Sequence, residues 1–203
     1  MKYPVSVVAE RVCALLDENP DIVREKTEYA DPGTSVISLV RLFLPDAARI
    51  VAASAPVSSI EECCVLGEGL DAPGGEIFSP ALVRESPACI GMDLPADFLR
   101  LLWFRMSDWQ HNVTEPLAFG AEEHRLHRCD PVRGRRRFPA VAIRQTGPVR
   151  RLEIYGSSAQ AAVAEFGWLA VPAVTDEYIV LPRGLLSALC MKLAEMIRLN
   201  LNQ

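Results

Sequence analysis

The sequence predicts an α+β fold, with N-terminal helices and a C-terminal helix forming one helical layer and a β-rich insertion between them. Three observations predict it. Apolar residues recur at helical spacing over the first 55 residues and again after residue 182. Between these stretches the apolar runs are short and separated by turn formers, as in "GEGLDAPGG" and "SPALVRESPAC". The composition, 50% hydrophobic and 23% charged over 203 residues, is that of a globular chain with enough apolar material for a core. The expected organisation is a single domain over 1–203, helical over 1–55 and 183–203 and β-rich over 56–182.

Each element has a local reason. Val5, Val8, Val12, Leu15 and Leu16 recur at helical spacing until Asn19-Pro20 ends the run. After a polar stretch from Arg24 to Gly33, Ser35 is placed to cap a second helix. Its stripe is Val36, Leu39, Val40, Phe43, Ala47, Ile50 and Val51. Pro45 lies inside that stripe, yet the apolar phase continues across it. The expectation is a kinked helix, or two abutting helices with Pro45 in a first turn. Candidate strands are Phe98–Met106, 139–145, 150–156 and 166–174, with Gly147-Pro148 as a hairpin turn between the second and third. In the closing helix Leu185, Leu189, Leu193, Met196 and Asn200 share a face, flanked by Leu186, Ile197 and Leu199.

The net charge of −5 argues against nonspecific nucleic-acid binding by the whole molecule. The charge is uneven: from Arg125 to Arg151 there are nine arginines against one acid, Asp130, so that segment carries +8 and the remainder −13. Such a segment is either a solvated hairpin or an element that meets an acidic surface, for example the body of a neighbouring copy. Glu10 and Arg11 interrupt the N-terminal apolar stretch where a signal peptide needs continuity, and no run approaches the roughly 18 apolar residues of a membrane span. Six cysteines without a C-x-x-C, two of them the adjacent Cys63 and Cys64, are expected to be reduced thiols. The sequon at Asn112-Val113-Thr114 is then accidental.

Chemical motifs are sparse. His124, His127 and Cys129 form an H-x-x-H-x-C string of zinc-ligand types, with Cys63, Cys64 or Asp130 as the missing fourth ligand. On a strand His127 and Cys129 would share a face and His124 would oppose them, and Arg125 and Arg128 would repel a cation. A polar surface hairpin without metal is the expectation. Gly67, Gly69 and Ala72 match G-x-G-x-x-A, but Pro73, Gly74 and Gly75 would break the helix that a dinucleotide site requires. There is no G-x-S-x-G, P-loop or H-E-x-x-H, and the carboxylates are scattered, so neither a catalytic site nor a cofactor is expected. Trp103, Trp109 and Trp168 lie in or beside apolar runs and read as core. Arg133, Arg135, Arg136 and Arg137 have only Phe138 among them as an aromatic, which suits phosphate contact or interfacial ion pairs better than base stacking.

One stretch remains, "LPADFLRLLWFRM". Arg100 and Arg105 are an odd number apart, so on a regular strand they would face opposite sides; a bulge or a strand end is required. Leu94-Pro95-Ala96-Asp97-Phe98-Leu99-Arg100-Leu101 resembles the LPxDFLRL signature of head-to-tail adaptor proteins of tailed bacteriophages, the tail tubular protein A group. The order that follows is also similar: a strand pair near 140–155, "YIVLP" at 178–182, and a closing helix beginning "RGLLSALCMKLAEMI". The resemblance spans about residues 94–199; residues 110–137 have no counterpart in it, and 56–93 are longer and looser.

The resemblance implies a structural virion or prophage protein, present in the bacterial cytoplasm before assembly. It would form a ring between the portal and the tail and continue the DNA channel. Its implied partners are portal and tail proteins, further copies of itself (on the portal if not in solution), and packaged DNA touched transiently and without specificity; no membrane is involved. In that setting Leu94 to Asp97 form a turn, with Asp97 capping exposed amides. Phe98, Leu102, Phe104 and Met106 supply core. Arg100, Arg105, Arg133, Arg135, Arg136 and Arg137 are the candidate interface residues. The alternatives are a nucleic-acid-binding module using Arg133 to Arg137 and a small enzyme of unrecognised type.

Overall fold

The N-terminal three residues, Lys2–Pro4 (β1), pair antiparallel with Tyr178–Val180 (β8), so chain positions far apart in sequence share one two-stranded sheet. In this computed structural model the described residues are 1–16, 36–60, 81–86, 89–128, 138–147, 149–158 and 160–201. The chain divides into two compact units, one from Met1–Cys63 and Val171–Gln203, the other Cys64–Ala170. The fold is α+β, with terminal helices flanking a β-rich middle, as the apolar periodicity predicts.

The first unit is helical. Helix α1, Val5–Leu15, begins where β1 ends, and the Val5 amide donates to the Glu177 carbonyl beside β8. It buries Val5, Val8, Ala9, Val12 and Cys13, a stripe of one face. Helix α2 spans Val36–Ser54 without interruption, with Pro45 inside it. Two abutting helices are therefore excluded; the proline ring sits on the exposed side, and the apolar contacts on either side hold the helix through the missing hydrogen bond. The buried stripe runs through Val36, Leu39, Val40, Leu44, Ala47, Ala48, Val51 and Ala52, while Ile50, expected inside, is 47% exposed.

A 3-10 turn at Arg183–Leu185 leads into the closing helix, Leu186–Leu201 (α4). Its inner face is Leu186, Leu189, Cys190, Leu193, Ala194 and Ile197. The stripe expected through Met196 and Asn200 is rotated: Met196 is half-buried and Asn200 exposed. Alanines 47, 48, 52 and 194 with Cys190 allow the helix backbones of this unit to approach closely. The Ser35 cap falls outside the described residues.

In the second unit Leu82–Ser86 (β2), Cys89–Asp93 (β3), Ala140–Thr146 (β5) and Val149–Tyr155 (β6) form an antiparallel sheet in the order β2-β3-β6-β5. Phe98–Met106 (β4) and Val163–Ala170 (β7) form a separate antiparallel pair. The strand expected at 166–174 thus lies a few residues earlier. The expected turn at Gly147-Pro148 joins β5 to β6, with Gly147 at φ 62°; Pro148 itself is outside the described residues. The apolar core of this unit gathers Ile90, Met92, Leu152, Ile154 and Val141 from one sheet face with Phe98, Leu101, Phe104, Met106, Trp109, Phe166 and Trp168. Phe166 stacks on Trp168 at 4.7 Å and meets Phe104 edge-on at 5.9 Å.

Strand β4 carries three register shifts against β7, between Phe98 and Arg100, Leu101 and Trp103, and Arg105 and Met106. These are the bulges that the odd spacing of its arginines requires. They leave Leu101, Leu102, Phe104 and Met106 all buried and Arg100 and Arg105 half-buried. Ahead of the strand, Pro95 to Phe98 form a turn closed by the main chain, the Phe98 amide donating to the Pro95 carbonyl at 3.0 Å. It is clamped from β6: the Leu94 amide donates to the Arg150 carbonyl at 2.9 Å, and the Arg150 guanidinium donates to the Phe98 carbonyl at 2.7 Å.

Candidate functional site

The second unit's sheet has two unlike faces. Alternation sends Ile90, Met92, Leu152 and Ile154 into the apolar core, and sends Cys89, Gly91, Asp93, Arg151, Glu153, Tyr155, Ala140, Ala142 and Arg144 to the other side. Across that side Gly91 and Ala142 flank Glu153 directly. Their small size leaves room for a cluster of charged and polar groups. The register shift between Arg84 and Ser86 aims Glu85 across Gly91, where an added Cβ would come within 2.7 Å of its carboxylate.

A short helix, Glu122–Arg128 (α3), closes the cluster from above. Acidic Glu122 and Glu123 in its first turn and Arg125, His127 and Arg128 in its last suit the helix dipole. Leu117 ties the approach to the sheet, its amide donating to the Val141 carbonyl at 2.7 Å. Helix α3 directs His124 downward, and His124, Glu153 and Tyr155 are all almost completely buried.

The cluster is a continuous relay. His124 Nε2 is 2.9 Å from Glu153 Oε2 and 3.1 Å from the Tyr155 hydroxyl, which itself donates to Glu153 Oε2 at 2.6 Å. The other Glu153 oxygen is 3.0 Å from Arg144, which also reaches Glu85 at 3.3 Å. Arg151 then joins Glu85 at 2.8 Å to Asp93 at 2.6 Å, where the relay emerges into solvent. A buried charge is tolerated only when it is paired and hydrogen-bonded, and Glu153 meets that condition from three directions.

These contacts set the ionisation of the cluster. Burial pushes Glu153 toward the neutral acid, but the Tyr155 and His124 hydrogen bonds and the Arg144 charge outweigh it and hold the carboxyl below its usual range. Burial, and then the Glu153 bond, push the Tyr155 phenol up. Burial, with Glu153 nearby, pushes the Cys89 thiol up to about 11, so this thiol is neutral and unreactive near pH 7. His127 is held below its usual range chiefly by burial.

At the top of the cluster the Gly120 amide donates to His124 Nδ1 at 3.1 Å. An imidazole nitrogen that accepts a hydrogen bond carries no proton, so His124 is the neutral Nε2–H tautomer. Both of its nitrogens are engaged, and neither is open to a metal ion or a substrate. Among the described residues no group of three His, Cys, Asp or Glu side chains is placed to hold a metal. The expected polar surface hairpin at 124–129 is corrected: His124 and His127 lie on a helix, His124 is core, and Cys129 and Asp130 fall outside the described residues. Physically, the ring that looked like a surface ligand is the hydrogen-bond partner of a buried carboxylate.

The candidate interface arginines are not brought together by the described structure. Arg105 forms an ion pair with Glu165, which also accepts from Asn112 at 3.1 Å, and Arg100 is half-buried on the same strand. Arg133, Arg135, Arg136 and Arg137 fall outside the described residues, as do Cys63, Cys64 and the Gly67–Ala72 motif. Trp109 and Trp168 are core as expected, and Trp103 is half-buried over Gly167. Glu153, Tyr155, Arg144 and Glu85 were not singled out from the sequence. The alternation in "RRLEIY", polar at 151, 153 and 155 and apolar at 152 and 154, is the signal that marks the face. Compared with known protein families and with curated proteins, the chain matches none.

Proposed function

We propose that this chain is a structural protein of tailed-phage particles or prophages, a head-to-tail adaptor that assembles as a ring between portal and tail and continues the DNA channel. The observation that carries the reading is the LPADFLRL stretch, which resembles the adaptor signature and runs through a clamped turn into strand β4. The arrangement around it is compatible: both ends of the chain contribute to the helical unit, and the β-rich unit is inserted between them. A ring needs two different patches on each copy, and an acidic body with one strongly basic segment supplies a complementary pair.

Portal and tail proteins are the partners in this reading, and DNA is touched only in passage. Sequencing the genes that flank this one tests it. Portal, capsid or terminase genes alongside support the adaptor; metabolic or regulatory neighbours overturn it. Tight, steeply salt-dependent DNA binding by the isolated chain would favour a nucleic-acid-binding module using Arg133 to Arg137 instead.

A further inference from the structure

We propose that His124 is a proton switch for the turn ahead of α3: a proton taken up on Nδ1 displaces the Gly120 amide, while the Nε2 side stays on Glu153. The inference is independent of the adaptor reading. It follows from the two bonds of the ring. Neutral imidazole offers one donor and one acceptor, and here the acceptor nitrogen is committed to a main-chain N–H at 3.1 Å. Imidazolium has N–H groups on both nitrogens. Its Nδ1–H would face the Gly120 N–H head-on, two donors with no acceptor between them, so the turn must separate from the ring. On the opposite side protonation strengthens the contact, because the bond to Glu153 Oε2 at 2.9 Å becomes charge-assisted.

The surroundings admit the extra charge. On α3 itself, His127 and Arg125 oppose it, Glu122 and Glu123 favour it, and Arg128 lies at the far end. From β6 the ring meets Glu153 and the Tyr155 hydroxyl, with Arg151 further along the same face. Beyond them stand Arg144 on β5, Glu85 on β2 and Asp93 on β3, with the neutral Cys89 thiol beside Tyr155. Two arginines therefore stand against three carboxylates in this relay, and one imidazolium balances them. The turn is also open to solvent. Gly120 has φ 80° with nothing within 4 Å of where a Cβ would stand, and its neighbour Phe119, 49% exposed, rests on the His124 ring at 4.8 Å. Releasing Gly120 lifts the cover from one edge of a buried ring.

Ring-nitrogen NMR and amide exchange on the full chain from about pH 8 to about pH 5 test this. The ring nitrogens report, at each pH, whether the neutral tautomer or imidazolium is present. The Gly120 amide should lose protection about tenfold over the same range, after correction for intrinsic exchange, while β6 amides keep theirs. His124→Asn puts a non-titrating oxygen where Nδ1 stood, so its Gly120 protection should not depend on pH. A ring that stays neutral throughout, a protonated ring with Gly120 still protected, or a pH-dependent Gly120 in His124→Asn would each overturn the proposal. Should that variant fail to fold, the wild-type spectra decide alone.

Discussion

Glu153 is the residue on which the second unit's polar face depends. It is a buried carboxylate whose oxygens are taken by Tyr155, His124 and Arg144, and removing it leaves the buried His124 and Tyr155 with only each other at that end and Arg144 with Glu85 alone. Glu153→Ala is expected to lower unfolding stability by about 3 kcal/mol, read from urea or guanidinium transitions. A loss comparable to that of an ordinary surface substitution would contradict the role given to this network. The pH dependence follows with its sign. Glu153, Asp93 and Glu165 have folded-state values lowered by hydrogen-bonding partners, so their stabilisation is present above the unfolded value, about 4.3 for Glu, and is lost as pH falls through the folded values. His127 is also lowered, chiefly by burial; being held neutral, it adds a loss that begins as pH falls below its unfolded value of about 6.5. Transition midpoints should therefore fall on acidification below about pH 6.5, and His127→Gln should flatten the first part of that fall. A midpoint that rises on acidification would contradict both assignments.

At the scale of elements, the pairing of β4 with β7 rests on a close approach. A Cβ at Gly167 would stand 2.3 Å from the Trp103 ring, far inside contact. Gly167→Ala should cost about 1–3 kcal/mol, and Trp103→Leu in the same chain should recover most of it, because the half-exposed indole is what the methyl strikes. Additive losses in the double variant would show that the strain lies elsewhere. Elements with long apolar runs were legible in the sequence. The limits of β4 agree at both ends, the odd spacing of Arg100 and Arg105 required the bulges, and Val5, Val8 and Val12 of α1 were readable from helical spacing, whereas Leu15, read on the same stripe, is 41% exposed. Short elements were not. Strand β1 is three residues whose partner lies at Tyr178–Val180, a pairing that no local pattern announces. Helix α3 is seven residues, too short for a periodic stripe; its acidic start and basic end are its only local marks, and the zinc-like spacing of its histidines points elsewhere. The polar face was missed for a different reason. Glu153 and Tyr155 lie on a strand that was recognised, but a buried charge becomes visible only when its partners from β5, β2 and α3 are known.

For the whole molecule, the claim is that the chain is a building block of a particle. The polar face of its second unit is a paired network that opens to solvent at Asp93, and in the adaptor reading the uneven charge along the chain would supply unlike patches for contact with other copies. Molecular mass in solution tests this poorly, since a chain that assembles only on its portal is a monomer when free. Quantitative mass spectrometry of purified tailed particles from the source culture is the direct measurement. The account predicts this chain in those particles at a fixed ratio to the portal protein, unchanged by high-salt washing. Its absence from particles whose other tail and portal components are all detected would contradict the account.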